Sequence, residues 1–566
     1  MKMPIDRLGF HHGSIPAKKN GSTAEKMEGQ ALRVADVVAR SLQRHGVSHA
    51  FGMPGGEVVV LVHALEEAGI GFHLARHETA AAIMAAGASV MTDTPQVLVT
   101  TVGPGLANAV NGIADAAQER VPLIVLSGIV DRQTRARYTH QVIDHAKLLG
   151  PLVKGSFEIE PESAAATVAR AVALATTEPM GPVHLDISPA VAASMPEVAS
   201  AISPPRILRP ATLAVDPVVA NLSSRIGRSV RPLIIAGFEA ARRDAGANVA
   251  ALAEAIGAPV ITTYKAKGVI PEDHRLSLGA AGLSPLADNA LLPLINRSDL
   301  VLAIGYDPIE MRLGWLDFVK DPDKLVEISG AMPDHGMHHA GLRAIADVRS
   351  LTGGLAQMVE RRLTWVDGEP AKLRNLLHQT FTRPDAWGPH AIIEILNEET
   401  DDDLGRDRRQ RGPSHPVVAE MDRAPASQAS AIRRLLHHGR SPSLAIGAKV
   451  ADPGLHVTAV MGDGGLEMGI GELATLRDLG LPITIVVFQD QSLALIALKQ
   501  SAGRLPPAGV KLGLTDFATI AGGFGGYGVN VETTDDLRHE LAAARDRPGF
   551  SLICCRFDAR AYEGAF

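Results

Sequence analysis

The chain has 566 residues, too long for one hydrophobic core, and its composition, 46% hydrophobic and 21% charged, is that of a globular protein and not of a disordered or membrane one. A formal net charge of -7 argues against a nucleic-acid-binding surface, which normally shows clustered excess Lys and Arg, and favours a small-molecule partner. No apolar run approaches the roughly 18 residues of a membrane helix, so we expect no membrane partner and a cytoplasmic protein.

Residues 1–30 are polar, with Lys18-Lys19-Asn20-Gly21, and lack the apolar core of a signal peptide, so they read as a loose tail. From Ala31, strand-like and helical runs alternate: Val47 to Gly52, Glu57 to Ala68, Gly71 to Ala75, Glu78 to Met91, Val97 to Val102. That alternation predicts a parallel α/β sheet. Ser203-Pro204-Pro205 through Pro210 marks a linker. A second unit carries strand candidates at Pro232 to Ala236, Ala258 to Thr262, Leu300 to Gly305 and Lys324 to Ile328, and ends near Arg362. A third starts near Trp387, with strands His456 to Met461, Pro482 to Phe488 and Ser551 to Phe557. The expectation is three doubly wound parallel-sheet α/β domains, at 31–198, 210–362 and 385–566. Cys554 and Cys555 are the two cysteines, adjacent in a strand and read as small apolar residues.

The run from His456 to Met461 delivers Gly462-Asp463-Gly464 at the carboxyl end of a strand, where parallel sheets bind ligands. A helix predicted over Gly469 to Leu479 and the strand Pro482 to Phe488 lead to Asp490, 27 residues beyond Asp463. One crossover of that kind brings both acids to the same sheet edge. Two carboxylates with backbone carbonyls suit Mg2+, and the glycines admit phosphates to the backbone. Alone, Gly-Asp-Gly would read as a turn. In the first unit, Arg76-His77-Glu78 ends a strand and starts a helix, between Phe51-Gly52-Met53-Pro54-Gly55-Gly56 and Thr101-Val102-Gly103-Pro104-Gly105-Leu106-Ala107-Asn108. Gly523-Phe524-Gly525-Gly526-Tyr527-Gly528 fits a dinucleotide pattern literally but follows a helix, and reads as a turn.

These segments, with Glu472-Leu473-Ala474-Thr475 and Gln489-Asp490-Gln491, resemble the acetolactate-synthase-like family of thiamine-diphosphate enzymes. The resemblance implies pyrimidine-binding, central and diphosphate-binding domains, a thiamine diphosphate and Mg2+ requirement, and a 2-oxo acid substrate. It implies Asp463, Asp490 and the carbonyl of Ser492 as metal ligands, with Asp490 where the family usually has Asn. Glu78 would activate the cofactor's aminopyrimidine, and Gln141, after His140, would reach toward the substrate. Pro54, Gly55, Gly103, Asn108, Gly462, Gly464 and Gly465 would line the cofactor. The central stretches Thr263 to Gly268, Pro271 to His274 and Leu300 to Asp307 also fit the family, some members of which hold FAD there and others nothing. With Glu78 and the Asp pair in separate domains, the family implies a homodimer or homotetramer with sites between subunits. Carboligation is the reading; a non-ligating 2-oxo acid decarboxylase or carbon–carbon lyase is one alternative, and a catalytically damaged scaffold the other.

One segment departs from the family. From Leu404 to about Ser443 the chain is rich in Arg, Ala, Pro and Ser, with Arg406-Asp407-Arg408-Arg409 and Arg433-Arg434, and shows no strand or helix pattern. Back-translating Asp407 to Asp422 one nucleotide later permits Thr-Val-Asp-Ser-Gly-Ala-His-Arg-Ile-Leu-Leu-Ser-Gln-Lys-Trp-Thr, which resembles the family's start of the third domain. Leu436-His437-His438-Gly439 likewise permits Cys-Thr-Met-Gly, the family's wedge loop. We read two compensating frameshifts, near 404 and 443; a divergent surface insert is the alternative. As written, the chain would lose the first strand of the third domain and carry His438 in place of the wedge Met. Sequencing the coding DNA across residues 400–445 decides: one single-base insertion and one deletion should restore the family peptide, and their absence contradicts the frameshift.

Overall fold

The computed structural model describes residues 32–196, 217–333, 335–381, 387–404, 417–419 and 441–562. The expected tail and Pro-rich linker, His438, and most of the segment 404–443 lie outside these residues. Three wholly parallel sheets account for the strands. The first holds β1 (His49–Gly52), β2 (Gly71–Leu74), β3 (Gln96–Thr100), β4 (Leu123–Gly128), β5 (Ser156–Glu158) and β6 (Pro182–Ile187), in the order β2-β1-β3-β4-β6-β5. The second holds β7 (Pro232–Ala236), β8 (Val260–Thr263), β9 (Ser277–Ala281), β10 (Leu300–Ile304), β11 (Leu325–Ser329) and β12 (Leu342–Ile345), in the order β12-β11-β10-β7-β8-β9. The third holds β13 (Val417–Ala419), β14 (Val457–Gly462), β15 (Ile483–Gln489), β16 (Tyr527–Val531) and β17 (Ser551–Arg556), in the order β13-β14-β15-β17-β16.

Two expectations change. Val417–Ala419 forms an edge strand, Val417 pairing with Thr458 and Ala419 with Val460, so a first strand is present where none was expected. Three residues are too few for alternation to reveal. The helix expected from Gly469 begins earlier, at Asp463, and reaches Leu479 through a 3-10 turn at Ile470–Glu472. An acid in the first turn suits the positive end of the helix, a signal outweighed in the sequence by the three nearby glycines. The glycine run at 523–528 joins the helix Phe517–Gly523 to β16, as a turn.

The first and third sheets share one core. The helix Glu78–Thr92 packs along the helix Ser441–Ala451, with Met84, Ala81, Ala85 and Ala88 against Leu444, Ala445 and Ile446. Small residues set the spacing: a Cβ on Gly447 would lie 2.0 Å from the Met84 carbonyl oxygen, and one on Gly87 2.6 Å from that of Leu444. Cys554 faces this core and Cys555 the opposite layer, as strand alternation requires.

In the central sheet, Glu310 is fully buried and Glu239 is buried for most of its length. Burial pushes their carboxyls up, to about 8 and about 7, against the hydrogen bonds each accepts. The native chain therefore binds protons that the unfolded chain releases.

Gly447→Ala is expected to lower the urea midpoint, because a clash costing about 1–3 kcal/mol exceeds the ~0.5–1 kcal/mol of helix propensity that Ala gains. A raised midpoint would contradict the packing. The contribution of Glu310 and Glu239 to stability should be complete below the ordinary Glu value of 4.5 and lost as pH rises through about 7 and 8. Urea midpoints measured across that range should fall, and Glu310→Gln should flatten the decline.

Candidate active site

In the first sheet the chain leaves β1 toward β2 on one side and returns to β3 on the other, so the ends of β1 and β3 form a switch point, where open parallel sheets take ligands. Pro54 and Gly55 follow β1 and Gly103 follows β3. The turns touch: a Cβ on Gly55 would lie 2.4 Å from Thr101 Oγ1, which donates to Glu57 Oε2 at 2.7 Å. Gly103 has φ +30°, and a Cβ there would lie 2.2 Å from the Gln141 carbonyl oxygen. Gly103 and the exposed Gln141, itself at φ 59°, are thus brought together through backbone. Glu78 is the first residue of its helix, only 7% exposed, and Asn108 Nδ2 donates to its Oε2 at 3.1 Å. Its Oε1 lies 3.4 Å from where Gly105 would carry a Cβ. Glycine at 105 leaves that oxygen uncovered.

At the third sheet, Gly462 on β14 pairs with Phe488 on β15, which carries Asp463 and Asp490 to the same edge. Both are buried, at 4% and 6% exposure. Asp463 Oδ1 accepts from Gly464 N–H at 2.8 Å, and its Oδ2 from Gln491 N–H at 2.7 Å. Asp490 Oδ1 accepts from Ser492 N–H at 2.8 Å. Gln491, at φ 56°, turns the chain so that Ser492 joins this edge, bridging to Lys511. Gly462 and Gly464 are half-buried and Gly465 is buried beside them. Two buried carboxylates held by backbone amides form a hard-oxygen donor set of the kind Mg2+ takes.

A crevice of about 690 Å3 between the first and third sheets is lined by Arg76, His77, Met468 and Glu472, among others; Glu78, Asp463 and Asp490 do not line it. Glu472 was missed as a positioning residue. It is 2% exposed, accepts from Arg76 N–H at 3.0 Å and from the Thr475 hydroxyl at 2.7 Å, and so ties the residues before Glu78 to the third sheet. Its spacing to Thr475 was visible, but its partner lies 396 residues away. A second missed group is His145, whose Nε2 accepts from Gly103 N–H at 3.1 Å while Nδ1 meets Asp186 Oδ1 at 2.7 Å. Burial pushes the Asp186 carboxyl up, but hydrogen bonds from His145 and His184 outweigh it and hold it below the usual range.

Three family models match in chain order: the thiamine pyrophosphate enzyme N-terminal TPP binding domain over residues 32–148, the central domain over 219–355, and the C-terminal TPP binding domain over 416–555. A probable acetolactate synthase large subunit of Methanocaldococcus jannaschii is 28% identical, covering 91% of this chain and 90% of its own. An acetolactate synthase of Bacillus subtilis is 28% identical, covering 92% of each. Among solved structures, a thiamine diphosphate-dependent 4-hydroxybenzoylformate decarboxylase of Rhodococcus jostii RHA1 superposes with a TM-score of 0.76 at 20% identity, over 93% of this chain and 99% of that one. That likeness shows the fold.

Asp186→Asn should cost about 1–3 kcal/mol, by leaving His145 without its buried carboxylate partner. Urea unfolding checks this, with exposed Asp558→Asn as the control of unchanged midpoint.

Proposed function

The chain belongs to the thiamine-diphosphate-dependent enzymes of acetolactate-synthase-like type, and from that premise we propose that it joins the residue of a decarboxylated 2-oxo acid to a second carbonyl compound. The observation that carries the reading is the buried Asp463 and Asp490 pair at one sheet edge, linked through Gln491 N–H. Asp463, Asp490 and the Ser492 carbonyl would hold Mg2+, and with it the diphosphate, beside Gly462, Gly464 and Gly465. Bound thiamine diphosphate supplies the electron sink for breaking and making the carbon–carbon bond.

The chain's own groups do the rest. Glu78 exchanges a proton at Oε1, the oxygen that Gly105 leaves uncovered, while Asn108 fixes Oε2. Gln141, on a loop whose backbone closes against Gly103, would reach toward the substrate. Pro54, Gly55 and Gly103 shape the wall that receives the ring. As the family resemblance implies, each site takes Glu78 from one subunit and the Asp pair from another, and Glu78, Asp463 and Asp490 stay outside the crevice between the first and third sheets of one chain. Exposed apolar residues beside both half-sites support this: Val59, Tyr138 and Ile143 near the first, Met468, Ile496, Leu505 and Leu514 near the second. Among the described residues no helix is long and apolar enough to cross a membrane.

With pyruvate, thiamine diphosphate and Mg2+, acetolactate is the expected product; acetaldehyde alone would favour the decarboxylase reading, and no cofactor binding the scaffold. Glu78→Gln should lower kcat roughly 10²–10⁴-fold with cofactor still bound. Asp490→Asn should keep Mg2+-dependent cofactor binding, because an amide oxygen still ligates, whereas Asp490→Ala should lose it. Calorimetric titration separates the two, and equal behaviour would contradict a ligand role.

A further inference from the structure

The central sheet has its own switch point. The chain leaves β7 toward β8 on one side and returns to β10 on the other, and a crevice of about 520 Å3 opens past the ends of β7, β10 and β11. Sheets of this kind bind nucleotides there, with phosphate oxygens accepting the N–H groups that open the turns after the strands. In this chain those donors include Phe238 after β7, Asp307 after β10 and Gly330 after β11.

Each of these donors already serves one of the chain's own carboxyls. Phe238 N–H and Asp307 N–H both donate to Glu310 Oε1, at 2.9 and 3.1 Å. Gly330 N–H donates to both oxygens of Glu239, at 3.0 Å. Glu310 is fully buried, and its other oxygen is bonded to the Thr263 hydroxyl, so it cannot yield to an incoming phosphate without stranding buried polar groups. Space is closed as well as donors. A Cβ on Gly237 would lie 2.4 Å from Tyr306 Cα, and one on Gly305 2.3 Å from Ala240 N. The turns after β7 and β10 therefore meet backbone to backbone, where a diphosphate would have to pass.

Charge at the rim points the same way. Glu178, Glu239 and Asp307 line the crevice together with Arg120 and Arg242, and both of those guanidiniums are engaged by the chain itself, Arg120 with Asp307 and Arg242 with the Arg120 carbonyl, while Arg243 pairs with Glu178. We infer that the central domain is closed to dinucleotides by its own acidic side chains, and that the enzyme works without FAD. The inference concerns the central domain and stands whichever product the first and third domains make.

The test uses the full-length protein saturated with thiamine diphosphate and Mg2+. Flavin released on denaturation is measured by fluorescence, and FAD and ADP are then titrated into the native holoenzyme by anisotropy and calorimetry. The expected result is no more than traces of released flavin and no saturable binding of either nucleotide, with thiamine diphosphate binding in the same sample showing that the protein is folded. Stoichiometric flavin in the purified protein, or saturable binding of FAD or ADP, would overturn the inference. Failure to form acetolactate would instead count against the carboligation reading and leave this result unchanged.

Discussion

Glu78 and the Asp463 edge are both held by the packing of two helices whose backbones approach each other directly at two glycines. Glu78–Thr92 begins with the buried acid of the first half-site, and Ser441–Ala451 leads into β14, which ends at the second. Gly447 against Met84 and Gly87 against Leu444 bring these helices together closely enough that the first and third sheets share one apolar core. Such a contact is stiff, because close-packed interiors transmit displacement instead of absorbing it. Glu78 is thereby fixed relative to the third domain of its own chain. Glu472 adds a polar tie by accepting from the N–H of Arg76, two residues before Glu78.

The two switch points of the molecule are built differently. In the first sheet, turns rich in glycine leave an edge where backbone approaches backbone but the carboxyl of Glu78 keeps one oxygen open. In the central sheet, the equivalent amides are capped by Glu310 and Glu239, whose carboxyls burial pushes up to about 8 and 7. The same topology thus serves the proposed ligand edge in one domain and a self-satisfied edge in another. Which of these it becomes is decided by a few acids in the turns.

Much of this was legible in the sequence, for identifiable reasons. β7 matches its predicted span of Pro232 to Ala236 because a β-branched and aliphatic run is bounded by Pro and Gly. Asp463 and Asp490 could be placed on one edge because a single strand-helix-strand crossover has only one sensible geometry. β13 was not legible, since three residues carry no period, and neither was the start of the helix at Asp463, masked by glycines. His145 with Asp186 and Glu472 with Arg76 were invisible for a different reason: their partners are distant in sequence, and only the fold brings them into contact.

The central claim is that Glu78 of one subunit works with Asp463 and Asp490 of another. The most direct measurement mixes Glu78→Gln and Asp463→Ala proteins, each inactive alone, under conditions that let subunits exchange. Random reassortment in a two-fold dimer gives hybrids with one intact site, so acetolactate formation should return to about a quarter of the wild-type rate. No recovery, with exchange verified by mass spectrometry, would place the whole site within one chain and contradict the account.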